Sequence, residues 1–203
     1  MTPATRRRAR RGQGELLRAD ILAAAEQLLI KTGDQGAVSI RAIADAAGVT
    51  PPSIYLHFAD KAELLGAVCE ARFAEFSRYI EHATEGIDDP MEALWEMGRA
   101  YVRFGLENPE HYRIMFMTRP PAEGLPPDKL PGLNAFSHVV EAVARCMDAG
   151  AIAAGDPFLV GTNLWTAVHG VTSLLIARPD FPWPDFDRLM GLVVDVQSKG
   201  LRP

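Results

Sequence analysis

The residues from Ser39 to Lys61 bring several hydrogen-bond donors close together, and their chemistry suits contact with a nucleic acid. Arginine pairs with guanine through two hydrogen bonds, hydroxyl, phenol and imidazole groups reach phosphates, and an apolar side chain can meet a thymine methyl. The candidate contacts are Ser39, Arg41, Thr50, Pro52, Ser53, Tyr55, His57 and Lys61. Catalysis has less support, because the sequence holds no HExxH, GxSxG, GxGxxG or phosphate-loop motif. We therefore expect a binding protein and not an enzyme.

A short helix and a tight turn are predicted to carry the first of these residues. Ser39 is a good N-cap, and the apolar residues that follow it fall on one helical face. Gly48 ends the helix, since glycine adopts a left-handed backbone without strain. The predicted apolar face consists of Ile40, Ile43, Ala44 and Ala47.

A second short helix is predicted after the turn. Thr50 is placed to cap it, and Pro51 sits in its first turn, where the missing N–H costs nothing. Ile54 and Phe58 lie four residues apart on one face, which leaves the polar residues to point away from the core. Two short helices that cross closely at a glycine turn are typical of a helix-turn-helix.

The run from Ser39 to Lys61 resembles the DNA-binding domain of the tetracycline-repressor (TetR) family. The similarity lies in Gly48-Val49-Thr50 and in the stretch SIYLHFADK from Ser53 to Lys61. It implies an all-helical, homodimeric transcription regulator that binds double-stranded DNA and responds to a small molecule. It also implies that Lys61 contacts a phosphate.

The charge is divided unevenly along the chain. The net charge of −5 conceals a basic N-terminal part, because residues 1–61 hold nine Lys or Arg and six Asp or Glu. We expect residues 1–14 to form a disordered basic tail carrying Arg6, Arg7, Arg8, Arg10 and Arg11. Two interpretations stay open, contact with phosphate or the minor groove and a solubilising terminus.

Composition predicts one compact protein of 203 residues with a core that needs no disulfide or metal. Cys69 and Cys146 have no CxxC or zinc spacing, which favours a reduced, cytoplasmic setting without a cofactor or metal. No apolar run was expected to approach the roughly 20 residues of a membrane span. The basic N-terminus lacks the features of a signal peptide.

The fold class predicted from helical periodicity is all-α, with a helix-turn-helix domain at 15–61 and a ligand-binding and dimerisation bundle at 62–203. The first helix spans about Glu15 to Lys31, and a long helix capped by Asp60 ends near His82. Three later helices are predicted to start at a capping residue that precedes a proline, at Asp89, Asn108 and Asp156. Further helices are expected at 133–149 and 185–198, with a proline-rich loop over 118–132.

The C-terminal bundle has enough aromatic side chains and methionines to line an apolar cavity. An ordinary core is the alternative for any single one of them. The candidates are Trp95, Tyr101, Phe104, Tyr112, Met115, Phe116, Phe136, Trp165 and His169. The stretch from Trp165 to Gly170 resembles the Trp…His-Gly feature of one TetR subclass. A buried, neutral His169 is the alternative to a ligand-binding one.

The sequence as a whole predicts a homodimeric repressor that leaves a palindromic operator when it binds a small, largely apolar ligand. The dimer interface is expected on the last two helices, with Leu189, Leu192, Val193 and Val196 on the final one and Gly161 and Gly170 allowing close packing. The alternative is a helical small-molecule-binding protein whose DNA-binding role is vestigial.

Overall fold

The computed structural model of this protein describes residues 13–117 and 131–202, and in these ranges the regular secondary structure is all helical, with no strand. The all-α prediction is confirmed. The described ranges contain nine α-helices, and one π-helical turn (Arg113–Met117) that follows the sixth. The α-helices are α1 (Gln13–Thr32), α2 (Ile40–Ala47), α3 (Pro51–Ile54), α4 (Lys61–Thr84), α5 (Pro90–Glu107), α6 (Pro109–Tyr112), α7 (Leu133–Asp148), α8 (Pro157–Ala177) and α9 (Phe186–Gly200). The five tail arginines and most of the predicted proline-rich loop lie outside the described residues.

The described chain divides into two compact units. The first comprises residues 13–69, and the second comprises residues 70–117 and 131–202. Helix α4 begins in the first unit and continues into the second. The first unit buries one apolar side of each of its helices, with Ile21, Ala25, Leu29, Val38, Ile43, Ala44, Ile54, Phe58, Leu64, Leu65 and Val68 in its core.

Aspartate side chains open two long helices of the second unit as the sequence predicted. The Oδ1 atom of Asp89 accepts a hydrogen bond from the backbone N–H of Glu92 at 2.8 Å. Asp156 accepts one from the N–H of Phe158 at 2.9 Å. These bonds satisfy N–H groups that have no partner inside a helix, and so they fix where α5 and α8 start.

The helix predicted after Asn108 differs from the expectation. It is a single α-turn that continues as the π-helical turn, and the Asn108 side chain does not cap it. Its Nδ2 atom instead donates to the carbonyl of Phe104 at the end of α5, at 3.1 Å. π-Helical turns are rare and occur often at functional sites.

Helices α5, α7 and α8 pack together at the centre of the second unit. Leu94, Ala142, Val143, Cys146, Ile152 and Leu164 form one buried cluster there. Gly161 faces α7, since a Cβ built on it would lie 3.6 Å from Val139. This glycine therefore serves packing within the chain, whereas the sequence had placed it at the dimer interface.

Helix α8 is the one described helix whose length and apolar composition would allow it to cross a membrane. Its most apolar window has a mean hydropathy of 1.3, which contradicts the expectation that no run would approach this length. Length and composition alone are weak evidence for a span. In the second unit this helix packs against α5 and α7.

Helices α5 and α8 approach each other closely at Gly105. A Cβ built on this glycine would lie 2.3 Å from Cγ2 of the fully buried Thr172 and 3.0 Å from the Tyr112 ring. Only a residue without a side chain lets the two helices come this near.

We predict that Gly105→Ala lowers the free energy of unfolding by about 1–3 kcal/mol, because the added methyl group overpacks a closed site. Urea denaturation followed by circular dichroism measures the change. Gly66→Ala is the matched control, since Gly66 lies within α4 with open space around it and alanine favours a helix. Equal stability of the Gly105 variant and the wild type would contradict the close packing.

Candidate nucleic-acid interface and ligand cavity

The turn between α2 and α3 has the backbone that the sequence predicted. The Ser39 hydroxyl accepts from the N–H of Ala42 at 3.1 Å and caps α2. Gly48 ends α2 with φ of 67°, and the N–H of Val49 donates to the carbonyl of Ala44 at 2.9 Å. A residue with a side chain is strained at that φ, so glycine fixes the angle at which the chain enters α3.

Helix α3 is shorter than expected and lacks the predicted side-chain cap. Thr50 has the extended backbone of an N-cap, but its hydroxyl pairs with the Ser53 hydroxyl at 2.9 Å and not with a backbone N–H. The α-helix ends at Ile54, and a turn continues to Phe58, whose N–H donates to the Ile54 carbonyl at 3.1 Å. Both apolar side chains are buried, which anchors the element to the first unit.

The other side chains of this element face away from the core. Arg41, Thr50, Pro52 and Tyr55 are exposed, while Ser53 and His57 are half-buried. Among the exposed ones, Tyr55 retains 54% of its surface. The structure thus gathers the predicted hydrogen-bond donors on the α2 to α3 element, where a groove of DNA could meet them.

Leu56 is a candidate contact that sequence reasoning missed. Its side chain is 82% exposed, although leucine is an apolar residue and its neighbours Ile54 and Phe58 are buried. The signal was present in the sequence, because Leu56 lies between the two outward residues Tyr55 and His57. An exposed leucine between two predicted DNA contacts can make an apolar contact with DNA.

Lys61 has a role that the sequence did not predict. Its Nζ atom donates to the backbone carbonyls of Gln35 and Val38, at 2.9 and 2.7 Å. These bonds tie the first turn of α4 to the segment that leads into α2. An ammonium group has three donors, so one remains for the predicted phosphate contact.

The start of α1 lies beside the same element. A Cβ built on Gly14 would be 3.8 Å from Cε1 of His57. The Arg18 guanidinium stands 5.0 Å from the centre of the buried Phe58 ring, in a cation–π contact. Helix α1 therefore begins next to the predicted contact His57.

The second unit contains a cavity of about 510 Å³ between α4, α5, the π-helical turn, α7, α8 and α9. Its wall is mostly apolar. Six of the predicted ligand-binding residues lie on it, namely Trp95, Tyr101, Met115, Phe116, Phe136 and Trp165. Residues missed by the sequence analysis include Phe73, Phe76, Ser77, His138, Phe158 and Gln197, whose helical faces could not be assigned without the packing of the bundle.

Three predicted ligand-binding residues, Phe104, Tyr112 and His169, do not line the cavity. Phe104 is buried between the rings of Phe76 and Tyr79, at centroid distances of 5.2 and 5.4 Å. Tyr112 is fully buried, and its hydroxyl approaches His169. These residues belong to the core because neighbouring side chains and hydrogen bonds already occupy their surfaces.

A hydrogen-bonded group connects the cavity wall to His169. The Trp165 indole N–H donates to the Tyr101 hydroxyl at 3.2 Å. The hydroxyls of Tyr101 and Tyr112 lie 3.0 and 2.7 Å from Nδ1 of His169. Burial lowers the pKa of the His169 imidazole and raises the pKa of both phenols. The ring is therefore neutral at pH 7, and its Nδ1 shares a hydrogen bond with a tyrosine hydroxyl, in a direction set by the tautomer.

No metal centre is evident among the residues that the structure describes, since none of their histidines, cysteines and carboxylates form a group of three or more with ligand-like placement. The Cys146 thiol is buried and donates to the carbonyl of Pro90 at 3.2 Å. Burial raises its pKa, which leaves the thiol protonated.

Two family profiles match the chain. "Bacterial regulatory proteins, tetR family" covers residues 21–68, and "Tetracyclin repressor-like, C-terminal domain" covers residues 94–196. The chain belongs to the TetR family. It is a DNA-binding transcription regulator, and the fold described above contains this family's two domains.

Solved structures share the fold over nearly the whole chain. A protein of unknown function from Rhodococcus sp. RHA1 is 28% identical with a TM-score of 0.78, over 92% of this chain and 96% of the other. The fatty acid degradation regulator FadR from Bacillus halodurans is 18% identical with a TM-score of 0.72, over 91% and 99%. RolR in complex with resorcinol is 18% identical with a TM-score of 0.65, over 95% and 90%. Curated protein sequences gave no match.

We predict that Lys61→Met in this TetR-family regulator lowers the stability of the first unit by about 1–3 kcal/mol, because two carbonyls lose a charged donor. Urea denaturation without DNA measures this. Lys31→Met is the matched control, since Lys31 is exposed at the end of α1 and its loss costs within about 0.5 kcal/mol. If both variants are equally stable, the bonds to Gln35 and Val38 contribute nothing.

Proposed function

We propose that this TetR-family regulator is a homodimeric repressor, released from a palindromic operator by a small, largely apolar ligand. The observation that carries the proposal is the pairing of an outward-facing donor set on the α2 to α3 element with an apolar cavity in the second unit. A protein that only bound small molecules would have no need for the first of these. The alternative, a small-molecule-binding protein with vestigial DNA binding, therefore explains the cavity but not the outward-facing donors.

On the DNA side, the residues divide by chemistry. Arg41 near the start of α2 reaches a guanine edge or a phosphate, and Tyr55 and His57 anchor the sugar-phosphate backbone. Thr50 and Ser53 offer hydroxyls to a phosphate at the start of α3, where Pro51 and Pro52 have no backbone N–H to donate. Ser39 caps α2 and orients it. Lys61 adds one remaining donor for phosphate.

Apolar groups complete the DNA-binding face. Pro52 and Leu56 are exposed on the same element and suit contact with a thymine methyl or with the sugar edges. The arginine-rich stretch that precedes α1 in the sequence adds charge for phosphate or minor-groove contact. We place it with the DNA-binding part because Gly14 lies beside His57.

The dimer interface is proposed on α8 and α9. Large apolar side chains remain exposed on these helices, and these are Phe158, Leu159, Leu174, Leu192 and Val196. Large apolar side chains exposed on two neighbouring helices of the sequence are unfavourable in water unless a partner covers them. Gly170 and Gly191 have open space around their Cα atoms, which would let a second copy approach closely. Of the other predicted interface residues, Val193 lines the cavity.

The proposed switch depends on a cavity ligand that prefers the conformation unable to bind DNA. Helix α4 supplies Phe73, Phe76 and Ser77 to the cavity wall, and its first turn is tied to the DNA-binding unit through Lys61. A ligand that changes the tilt of α4 would alter the spacing of the two DNA-binding units. A coupling of roughly 1–3 kcal/mol corresponds to 5–150-fold relief of repression. RolR, a structural relative, was solved with resorcinol, a small aromatic compound.

Two further expectations follow from the family. TetR-family regulators are generally not enzymes, and we propose no catalytic activity for this chain. They are soluble cytoplasmic proteins, and we place this one in the cytoplasm. The apolar character of α8 then reflects core packing on one side and the dimer interface on the other, with no role in a membrane.

We predict that selection from a random DNA pool enriches an approximately palindromic site with half-sites about one helical turn apart. On the selected duplex, Arg41→Ala reduces affinity by roughly tenfold or more and flattens the dependence on salt, because a cation is lost. Leu56→Ala reduces affinity about fivefold with the salt slope unchanged, because the lost contact is apolar. Fluorescence anisotropy at several salt concentrations measures both.

The control for these variants is Arg145→Ala, which removes an exposed arginine from α7 and leaves DNA binding unchanged. A pool that yields no enriched sequence would refute the DNA-reading assignment. If the Arg41 and Leu56 variants both bind the selected duplex with wild-type affinity, the two assigned contacts are refuted, but DNA binding by the protein is not.

We predict that Leu192→Glu converts the dimer to a monomer, since it places a charge within the proposed apolar interface. Leu192 is 60% exposed in the single chain, so the substitution leaves the core of the second unit intact. Sedimentation velocity measures the change in mass. Leu16→Glu alters an equally exposed leucine on α1 and keeps the wild-type mass. A monomeric wild type, or a dimeric Leu192 variant, would contradict the interface.

A further inference from the structure

We propose that the cavity takes an uncharged aromatic ligand with a single hydroxyl or carbonyl group, which bonds at Ser77 and His138. The inference rests on the proposed function, since it specifies the ligand class of the same cavity. Three properties of the wall lead to it: its aromatic rings, its few available polar groups and its lack of charge.

Aromatic rings meet the cavity from several elements. Phe136 of α7 lies 5.6 Å from Trp165 of α8 and 5.3 Å from Phe158, measured between ring centroids. Phe116 of the π-helical turn lies 6.3 Å from Trp165. All three pairs are inclined and not stacked face to face, and such rings offer both faces and edges to a planar guest. The volume of about 510 Å³ falls within the range of cavities that hold compact organic ligands.

Several polar groups of the wall are already satisfied inside the protein. The Trp165 indole N–H donates to the Tyr101 hydroxyl, which also lies within hydrogen-bond distance of His169. The Thr162 hydroxyl donates to the carbonyl of Phe158 at 2.8 Å. A ligand that competed for these groups would have to break existing bonds. The cavity therefore behaves as apolar over this part of its wall.

Ser77 and His138 supply one polar end of the cavity, and the Gln197 amide of α9 is a further polar group on its wall. Nδ1 of His138 lies 3.5 Å from the Glu81 carboxylate, and Glu81 follows Ser77 by four residues on the same face of α4. The histidine and the serine thus both line the cavity and both adjoin Glu81. The His138 side chain is 41% exposed, so this end of the cavity reaches solvent. One hydroxyl or carbonyl on the ligand can bond here while its ring lies among the aromatic side chains.

Charge on the ligand is disfavoured by the same wall. The described lining residues include no lysine, arginine, aspartate or glutamate. A carboxylate in such surroundings loses its hydration without gaining a partner, and a primary ammonium loses a strong hydration that ring faces replace only in part. At the polar end, His138 already faces the Glu81 carboxylate, which repels a second anion. An uncharged ligand incurs neither cost.

The test uses four probes that share one naphthalene ring system, namely naphthalene, 2-naphthol, 2-naphthoate and 2-naphthylmethylammonium. Binding is followed by quenching of Trp95 and Trp165, which both line the cavity. The titrations use the full chain with Trp183→Phe, because Trp183 lies outside the lining and would add a constant background. We expect 2-naphthol to bind about fivefold more tightly than naphthalene, and the two charged probes to bind at least tenfold more weakly than 2-naphthol.

Two variants locate the polar end. Ser77→Ala and His138→Ala are each expected to remove most of the advantage of 2-naphthol over naphthalene while leaving naphthalene affinity unchanged. Ser137→Ala and His82→Ala are the matched controls, since both residues are exposed on the same helices, α7 and α4, and lie outside the lining. Circular dichroism verifies that each variant folds. Comparing two probes on one variant separates a lost hydrogen bond from a general disturbance of the cavity.

The possible outcomes separate this inference from the proposed function. A charged probe that binds as tightly as 2-naphthol overturns the assignment of an uncharged ligand, as does the absence of binding by all four. If the control variants reduce the advantage of 2-naphthol as much as the Ser77 and His138 variants do, the assignment of the polar end is wrong. Binding of the selected duplex is measured in parallel. If 2-naphthol binds as expected but no probe affects DNA binding, the ligand class stands and the proposed switch fails.

Discussion

The close approach of α5 and α8 at Gly105 is the constraint on which the rest of the second unit depends. Because Gly105 has no side chain, Thr172 and the Tyr112 ring can fill the space against the α5 backbone. This proximity brings the Tyr101 hydroxyl to within 3.0 Å of Nδ1 of His169. The Trp165 indole then donates to that same hydroxyl. The hydrogen-bonded group of Trp165, Tyr101 and His169 thus holds the aromatic wall of the cavity in place. Because its members bond to one another inside the protein, this group favours one arrangement of the side chains.

The DNA-binding unit is subject to a different constraint. Gly48 and the buried pair Ile54 and Phe58 fix the path of the chain, whereas Tyr55 and Leu56 between the buried pair make little contact with the core. Residues that determine the fold and residues that would meet DNA therefore alternate within one short segment. Substitution of the outward ones changes recognition at little cost in stability, while substitution of the inward ones changes the orientation of the whole element.

Much of this architecture could be predicted from the sequence, for reasons that differ between its parts. Helix starts at Ser39, Asp89 and Asp156 were predictable because capping is a local interaction within four residues. The all-α class followed from helical periodicity. The π-helical turn was not predictable, since the sequence from Glu110 to Phe116 is compatible with a regular helix. His169 was assigned to ligand binding as one of two alternatives, and only the packing of three helices shows that tyrosine hydroxyls occupy it. Lys61 was missed as a carbonyl donor because Gln35 and Val38 lie more than 20 residues away.

Helix α4 gives the proposed regulation a physical basis. It is 24 residues long and continuous, so it extends about 36 Å from the ammonium bonds of Lys61 to Thr84. Its middle turns supply Phe73, Phe76 and Ser77 to the cavity. In the proposed switch, movement of these turns is passed along α4 because bending the helix sharply would strain its backbone hydrogen bonds. The coupling required, roughly 1–3 kcal/mol, is small beside the 5–15 kcal/mol that typically hold a folded protein together. A ligand can therefore alter DNA binding through the tilt of one helix without unfolding either unit.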